Sequence, residues 1–326
     1  MMKTLLTGAG GLVGSTIPAD IQVMGRKPPF SEYKEKRRRW CDLTNFRDTH
    51  NLFQETLPTH VIHTAAKVGG LGANLSQMGE FFYDNMLINL NVLEAARRAN
   101  VTKVISFMST CIFPDDVEYP ITEDMLHNGE PHSSNFGYAY AKRMVDVQSR
   151  AYNEQYGVQA AGDRMKFGTK YISVIPTNIY GPNDNFELEN SHVVPAMIHK
   201  CYIAKRDRTP LVVWGSGKPL REFIYSEDVG RITQYLLENY EGFDPLILST
   251  NEEHSIRDLV IAVADALDFQ GPIIYDDNKP DGQYKKTTSN ERLQRVLPLD
   301  FEFTPFREGI KKTVEWFVEN YENCRK

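Results

Sequence analysis

Three side chains in two short stretches have the types and spacing needed to move a proton at a carbonyl. In YAYAK, Tyr138 and Lys142 are four residues apart, so on a helix they share one face. An ammonium beside a phenol stabilises the phenolate, lowers the phenol pKa and makes it a better proton donor and acceptor near neutral pH. Ser109 lies 29 residues before Tyr138, directly after the apolar run KVISF and Met108. That run, followed by Pro114, Asp115 and Asp116, reads as a buried strand ending at Met108. Ser109, Thr110 and Cys111 would then sit just beyond its carboxyl end, where a hydroxyl can hydrogen-bond the oxygen being reduced or oxidised. Taken alone, Cys111 reads as a small hydrophobe, since free cysteine is among the most buried residue types. A bare YxxxK is also common on exposed helices, so its meaning depends on its surroundings.

Those surroundings supply a dinucleotide site. The first apolar run, KTLLTG, leads into GAGGLVG, with Gly8, Gly11 and Gly14 spaced as GxxGxxG. After a strand at the start of a βα-rich chain, small residues let backbone approach a pyrophosphate, and a helix amino terminus offers unpaired N–H groups. The acidic residue that grips the ribose hydroxyls of NAD is missing from the end of the second strand, IQVMGRK. Arg26 and Lys27 stand there instead, which suits the 2′-phosphate of NADPH. Asp42 is a candidate for the adenine edge, and Leu12, Val13 and Ala65 complete the expected cofactor contacts, with Lys142 reaching the nicotinamide ribose. Ser109, Tyr138 and Lys142 then form the Ser–Tyr–Lys arrangement of short-chain dehydrogenases.

The elements that must position these residues alternate. Short apolar runs (KTLLTG, IQVMGR, THVIHTAA, KVISFMS, YISVIPTNIY) are separated by helical patterns, clearest over 80–100 and 138–157. This predicts an α/β chain with a Rossmann-type doubly wound parallel sheet and right-handed crossovers. After about residue 180, short strands (LVVW, PLILST, PIIYD) interleave with helices over 191–204, 255–268, 290–296 and 307–322. The expected division is a NADP-binding domain over 1–178, with 222–248 returning to it, and a smaller α/β substrate domain over 179–221 and 249–326.

The chain has 326 residues, of which 41% are hydrophobic and 25% charged, with a net charge of −6. That balance argues against nucleic-acid binding, which needs a basic face; the run Lys34–Arg39 reads as a solvated loop. Cys41, Cys111, Cys201 and Cys324 are scattered without CxxC or Cys/His ligand spacing, which predicts no disulfide framework and no metal site. No run approaches 18 apolar residues, so no membrane span is expected, and the amino terminus reads as strand and turn, not signal peptide. A cytoplasmic location follows.

HTAAKVGG (63–70), DNMLINLNVLEAA (84–96), STCIFP (109–114), PTNIYGPNDNF (176–186), NSHVVPAMI (190–198), VVWGSGKPLREFIY (212–225) and KPDGQYKK (279–286) resemble the extended short-chain dehydrogenase/reductase family. The likeness is to its branch that epimerises and then reduces 4-keto nucleotide sugars, and it covers nearly the whole chain. It implies NADPH-dependent conversion of GDP-4-keto-6-deoxy-D-mannose to GDP-L-fucose by a homodimer built through helices 80–100 and 138–157. Carried over, Cys111 and His192 become the acid/base pair for epimerisation at the carbons flanking the ketone. Trp214, Arg221, Lys286 and Asn178 become substrate contacts, with packing in a core the alternative for Trp214. Two departures stand out: Pro18 shortens the first helix, and residues 158–169 add length before the fifth strand. Another NADP(H)-dependent nucleotide-sugar epimerase or reductase is the alternative activity. A non-catalytic nucleotide-binding protein is disfavoured by the intact Ser109, Tyr138 and Lys142.

Overall fold

The computed structural model describes residues 2–24, 38–157, 159–161, 164–166, 168–279 and 285–326. Its strands are β1 (Thr4–Thr7), β2 (Ile21–Met24), β3 (Arg38–Trp40), β4 (His60–His63), β5 (Lys103–Phe107), β6 (Gln159–Ala161), β7 (Arg164–Lys166), β8 (Lys170–Pro176), β9 (Asn178–Tyr180), β10 (Leu211–Trp214), β11 (Leu220–Tyr225), β12 (Leu246–Leu248), β13 (Glu253–Ser255) and β14 (Ile273–Asp276). The α-helices are α1 (Phe46–Thr56), α2 (Leu71–Ser76), α3 (Met78–Arg98), α4 (Phe136–Tyr156), α5 (Val193–Asp207), α6 (Ser226–Asn239), α7 (Ile256–Ala266), α8 (Glu291–Gln294) and α9 (Phe306–Glu319).

Seven strands form one parallel sheet in the order β3-β2-β1-β4-β5-β8-β12. The order reverses between β1 and β4, so a crevice opens there at the carboxyl ends of the strands, the usual ligand position in a doubly wound sheet. Its middle strands are buried on both faces, which is why TLLT and KVISF read as unbroken apolar or small runs. Leu5, Val61, Val104 and Tyr171 meet Leu52 and Phe53 of α1 and Val92, Leu93 and Ala96 of α3 on one face. Leu6, Ile62, Ile105 and Ile172 meet Val229, Ile232 and Leu236 of α6 on the other. Thus α6 covers this sheet and β12 extends its edge, whereas β11 pairs with β9 and β13 in a separate three-stranded sheet. A second core joins α5, α7 and α9 to β10 and β11 through residues such as Ile198, Val213, Phe223, Val263 and Phe317.

Three details differ from the sequence expectation. The basic run is not all loop: Arg38 and Arg39 belong to β3, an exposed edge strand whose polar sequence hides its pairing with β2. The helix expected after GLVG is a three-residue 3-10 turn, Gly14–Thr16, followed by extended Ile17 before Pro18. With so short a turn there is little helix dipole for a phosphate. Thr16 instead donates to the carbonyls of Val13 (2.8 Å) and Ser226 (3.1 Å), tying the turn to the start of α6. The predicted fifth strand YISVIPTNIY is broken at Thr177 into β8 and β9, which go to different sheets. The added residues around 158–169 contain the antiparallel pair β6–β7.

Candidate active site

The end of β5 and the amino-terminal half of α4 converge on one spot. Ser109, extended at φ −162°, caps a 3-10 turn over Thr110–Ile112, and its Oγ accepts from the Cys111 amide at 3.4 Å. From α4, Lys142 is 2% exposed and its Nζ donates to the Phe107 carbonyl at 2.9 Å, so helix and strand end are joined by a charged hydrogen bond. The next residue, Arg143, donates from Nε to the Ile112 carbonyl at 3.0 Å and from Nη1 to Gly129 at 2.8 Å, pinning the turn that carries Cys111. Tyr138 lies one helical turn before Lys142, with the ammonium 6.0 Å from its ring centre. Its ring rests edge-on against Phe81 of α3 at 6.3 Å. Ser109, Tyr138 and Lys142, read from spacing, are therefore brought together with Cys111, read from the resemblance, and Ser109, Cys111 and Tyr138 keep accessible surface.

Electrostatics in this cluster are set by burial. Desolvation pushes Lys142 down to about 8, so it remains mostly a cation at pH 7. Tyr138 is pushed well above the ordinary phenol range, by burial first and by Cys111 second. The lowering expected from the neighbouring ammonium is thus overturned by desolvation, and Tyr138 holds its proton at neutral pH, the form a donor needs. Burial also raises Cys111, while the ammonium of Lys286, the Ser109 hydrogen bond and Lys142 pull it back down.

Of the other predicted residues, Lys286 interacts with this centre through Cys111, and the rest lie on separate elements. His192 is the residue before α5, with extended backbone and no capping bond from its ring, which remains solvent-accessible. Surrounding protein nonetheless lowers its pKa by desolvation, so the ring is neutral at pH 7. Among the described residues no hydrogen bond joins His192 to the Cys111 cluster. The segment before it is held by Gly70, whose amide donates to the Asn190 carbonyl at 2.8 Å. Lys286 and Arg221 lie close enough to interact electrostatically, and both have pKa values lowered by burial. Asn178 uses its amide on the Glu222 carbonyl (2.8 Å). Trp214 is 62% exposed, so it is no core residue; Lys200 stands 4.7 Å and Lys279 5.4 Å from its ring centre. Lys200 escaped the sequence reading, because only the packing of α5 against β10 brings it to Trp214, eight residues beyond His192.

At the opposite margin of the crevice, Gly8 has φ +74°, and a Cβ there would lie 2.9 Å from the Ala65 amide nitrogen. A Cβ on Gly14 would run into the Gly8 carbonyl, so the turn closes only with glycine at both places. The amides of Leu12 and Val13 find no acceptor among the described residues. This tight turn with free amides beside Ala65 fits a dinucleotide pyrophosphate. Asp42 Oδ1 accepts from the Thr44 amide (3.0 Å) and hydroxyl (2.6 Å), making Asp42 a turn-former as well as a candidate adenine contact. Arg26 and Lys27 lie outside the described residues.

A cavity of about 460 Å³ at the starts of the strands, lined by His60, Lys103 and Lys170, has a different explanation. Lys103 donates to the carbonyls of Leu237 (2.8 Å) and Tyr240 (3.0 Å) and Lys170 to Glu241, so both lysines close the carboxyl end of α6. No group of side chains suited to a metal occurs among the described residues. No helix among them is long and apolar enough to cross a membrane.

A crevice at the sheet's reversal point, a glycine turn on one side and a Ser–Tyr–Lys cluster on the other define a nicotinamide-dependent enzyme of the short-chain type. The chain belongs to the NAD dependent epimerase/dehydratase family, whose model matches residues 4–247. It is 48% identical over 324 residues to the GDP-L-fucose synthase of Dictyostelium discoideum, covering 99% of this chain and 97% of that one. It is 44% identical to the probable GDP-L-fucose synthase of Drosophila melanogaster over 100% of both chains. Among solved structures, it is similar to a GDP-L-fucose synthetase from Naegleria fowleri bound to NADP, with TM-score 0.85, 40% identity and coverage of 100% and 96%.

Proposed function

We propose that this chain inverts C3 and C5 of GDP-4-keto-6-deoxy-D-mannose and then reduces C4, giving GDP-L-fucose, with NADPH as reductant. What carries this reading is the position of Cys111, on the same strand end as Ser109 and within the field of Tyr138 and Lys142. A reductase alone needs an acid for the carbonyl oxygen but no acid or base aimed at the carbons flanking it. A ketone at C4 acidifies the hydrogens on both neighbouring carbons, so a thiol beside the ketone has a task that a packing residue lacks.

In the first stage Cys111, as thiolate, removes a proton from a flanking carbon, and the charge moves onto the C4 oxygen. Ser109 and Tyr138 donate hydrogen bonds to that oxygen, and the Lys142 cation stabilises the charge that develops there. His192, carried on a different element and protonated to the imidazolium for this step, returns a proton from the other face, which inverts the centre and leaves the neutral ring that its burial favours. In the second stage Tyr138 gives its proton to the C4 oxygen, and Lys142 supports the phenolate left behind. Bound NADPH supplies the hydride. The residues that would hold it are Gly8, Gly11, Leu12, Val13, Gly14, Ala65 and Lys142, with Asp42 at the adenine and Arg26 at the 2′-phosphate. Arg221, Lys286 and Lys200 would meet the GDP diphosphate, where an Arg fork and ammonium groups suit phosphate oxygens, and Trp214 would cover the nucleotide or sugar. Asn178 borders the same space.

A homodimer through α3 and α4 belongs to this proposal. Phe82, Tyr83 and Leu90 on α3 and Phe136 and Val147 on α4 are each more than 40% exposed, a cluster of apolar side chains that a second copy would cover. Four free thiols suit the reducing cytoplasm. The activity is tested by incubating the protein with GDP-4-keto-6-deoxy-D-mannose and NADPH and identifying the product by NMR. GDP-L-fucose is expected; a reduced sugar with C3 and C5 uninverted would show a simple reductase.

A further inference from the structure

Residues 285–290 form no helix or strand of their own, yet Lys286 among them is one of the groups closest in effect to Cys111. How that segment is held is therefore a question about the site. On one side it is clamped to the loop beyond Cys111. The Ile121 amide donates to the Thr287 carbonyl (2.9 Å), the Ser289 amide donates to the Ile121 carbonyl (2.8 Å), and the Tyr119 hydroxyl donates to the Lys285 carbonyl (2.8 Å). On the other side Glu222 of β11 grips it by hydrogen bonds. Glu222, 1% exposed, accepts from the Thr288 amide with both carboxylate oxygens at 3.2 Å and from the Thr288 hydroxyl at 2.6 Å.

A buried carboxylate is a costly way to hold a loop unless it is gripped by donors. Glu222 has these from Thr288 and Ser249, and its backbone neighbour is Arg221. Its own carbonyl receives the Asn178 amide at 2.8 Å. One residue thus connects three substrate-facing positions: Asn178, Arg221 and Lys286.

We infer that Glu222 is a positioning residue: by gripping Thr288 it holds Lys286 beside Cys111 and Arg221, and so fixes the charge environment in which the thiol works. The inference rests on the role given to Cys111 above. The groups facing the thiol are Lys286, Lys142, Tyr138, Arg143 and the Ser109 hydroxyl; those facing Lys286 are Cys111, Arg221 and Asp115; and those facing Glu222 are Thr288, Ser249 and Glu253. Lys286 and Lys142 both favour the thiolate, and Lys286 acts more strongly. Nothing in the sequence marks Glu222 for this task, since REF in a strand reads as an ordinary polar–charged start to an apolar run.

The test is the pH profile of Cys111 alkylation by iodoacetamide, followed on the Cys111 peptide by mass spectrometry, in the full-length protein. Lys286→Met removes the ammonium and should raise the apparent thiol pKa by about one unit, so alkylation on the acidic limb falls about tenfold. Glu222→Gln keeps the volume but sets an amide where an acceptor pair stood, and should move the profile in the same direction. Thr288→Val should do so partly, and Thr288→Ser should restore the unmodified profile. A fold defect alone would change thermal stability without this graded order, and Thr288→Ser guards against Glu222→Gln failing to fold. If Lys286→Met shifts the profile but neither Glu222→Gln nor Thr288→Val does, Glu222 does not position Lys286. If Lys286→Met also leaves the profile unmoved, Lys286 does not set the thiol's environment, and the inference falls. Both results are independent of whether the sugar is epimerised, because no substrate is present.

Discussion

Lys142→Met separates the catalytic value of a buried cation from its effect on stability. Lys142 is 2% exposed, and burial lowers its pKa from 10.5 to about 8. At 1.36 kcal/mol per unit, that displacement amounts to about 3 kcal/mol by which the fold disfavours the charged form. The direction follows from proton counting. Between about pH 8 and 10.5 the unfolded lysine binds more protons than the folded one, so this group makes the protein more stable as pH rises through that window. Below pH 8 both states are protonated and the penalty is fully present. Urea unfolding of the unmodified protein and of Lys142→Met, each at pH 7 and pH 10, isolates the effect. The unmodified protein should gain roughly 2.5 kcal/mol relative to the variant over that interval, whatever the variant loses in packing, which is the same at both pH values. NADPH oxidation by the unmodified protein should meanwhile decline above about pH 8 as the cation is lost, and the variant should be slower at every pH. A stability difference independent of pH would show that Lys142 is solvated as an ordinary surface lysine, and the account of the Tyr138 environment would fail with it.

Gly14→Ala should abolish NADPH binding by equilibrium fluorescence, because the added methyl meets the Gly8 carbonyl and opens the turn; retained affinity would place the pyrophosphate elsewhere. Leu90→Asp on the exposed face of α3 should convert the proposed dimer to monomers in analytical ultracentrifugation, since an unpaired carboxylate in an apolar interface is disfavoured by several kcal/mol; an unchanged sedimentation coefficient would move the interface off α3. Tyr138→Phe should lower NADPH oxidation by roughly 10²–10⁴-fold while leaving exchange at C3 and C5 less affected, and near-normal oxidation would remove Tyr138 from the proton transfer.

The alternating pattern made the parallel sheet legible, because strands such as KVISF and TLLT are buried on both faces and leave no polar alternation to misread. β3 was not legible: Arg38, Arg39 and Trp40 are exposed on an edge, where pairing to β2 depends on the partner and not on side-chain type. Tyr138, Lys142 and Ser109 could be found because their chemistry depends on helical spacing and on a strand end, both local. The sign of the Tyr138 shift could not, since it is decided by how much protein surrounds the phenol. Lys200 and Glu222 were invisible for a related reason. Each acts on a residue from another element, Trp214 for one and Thr288 for the other, and only tertiary packing makes the pair. His192 lay between these cases, because its place came from the resemblance of NSHVVPAMI and its ring environment from the fold.

The central claim is that Cys111 does chemistry on the carbons beside the ketone. Deuterium incorporation at C3 and C5 of GDP-4-keto-6-deoxy-D-mannose, measured by mass spectrometry in deuterated water for the unmodified protein and Cys111→Ser, tests it most directly. The hydroxyl keeps nearly the same volume but is a far weaker acid than a thiol with an ordinary pKa near 8.5. The variant should therefore lose exchange at both carbons while still binding NADPH and slowly reducing the unepimerised ketone. Exchange at both carbons at the unmodified rate would make Cys111 a packing residue at the end of β5 and contradict the account.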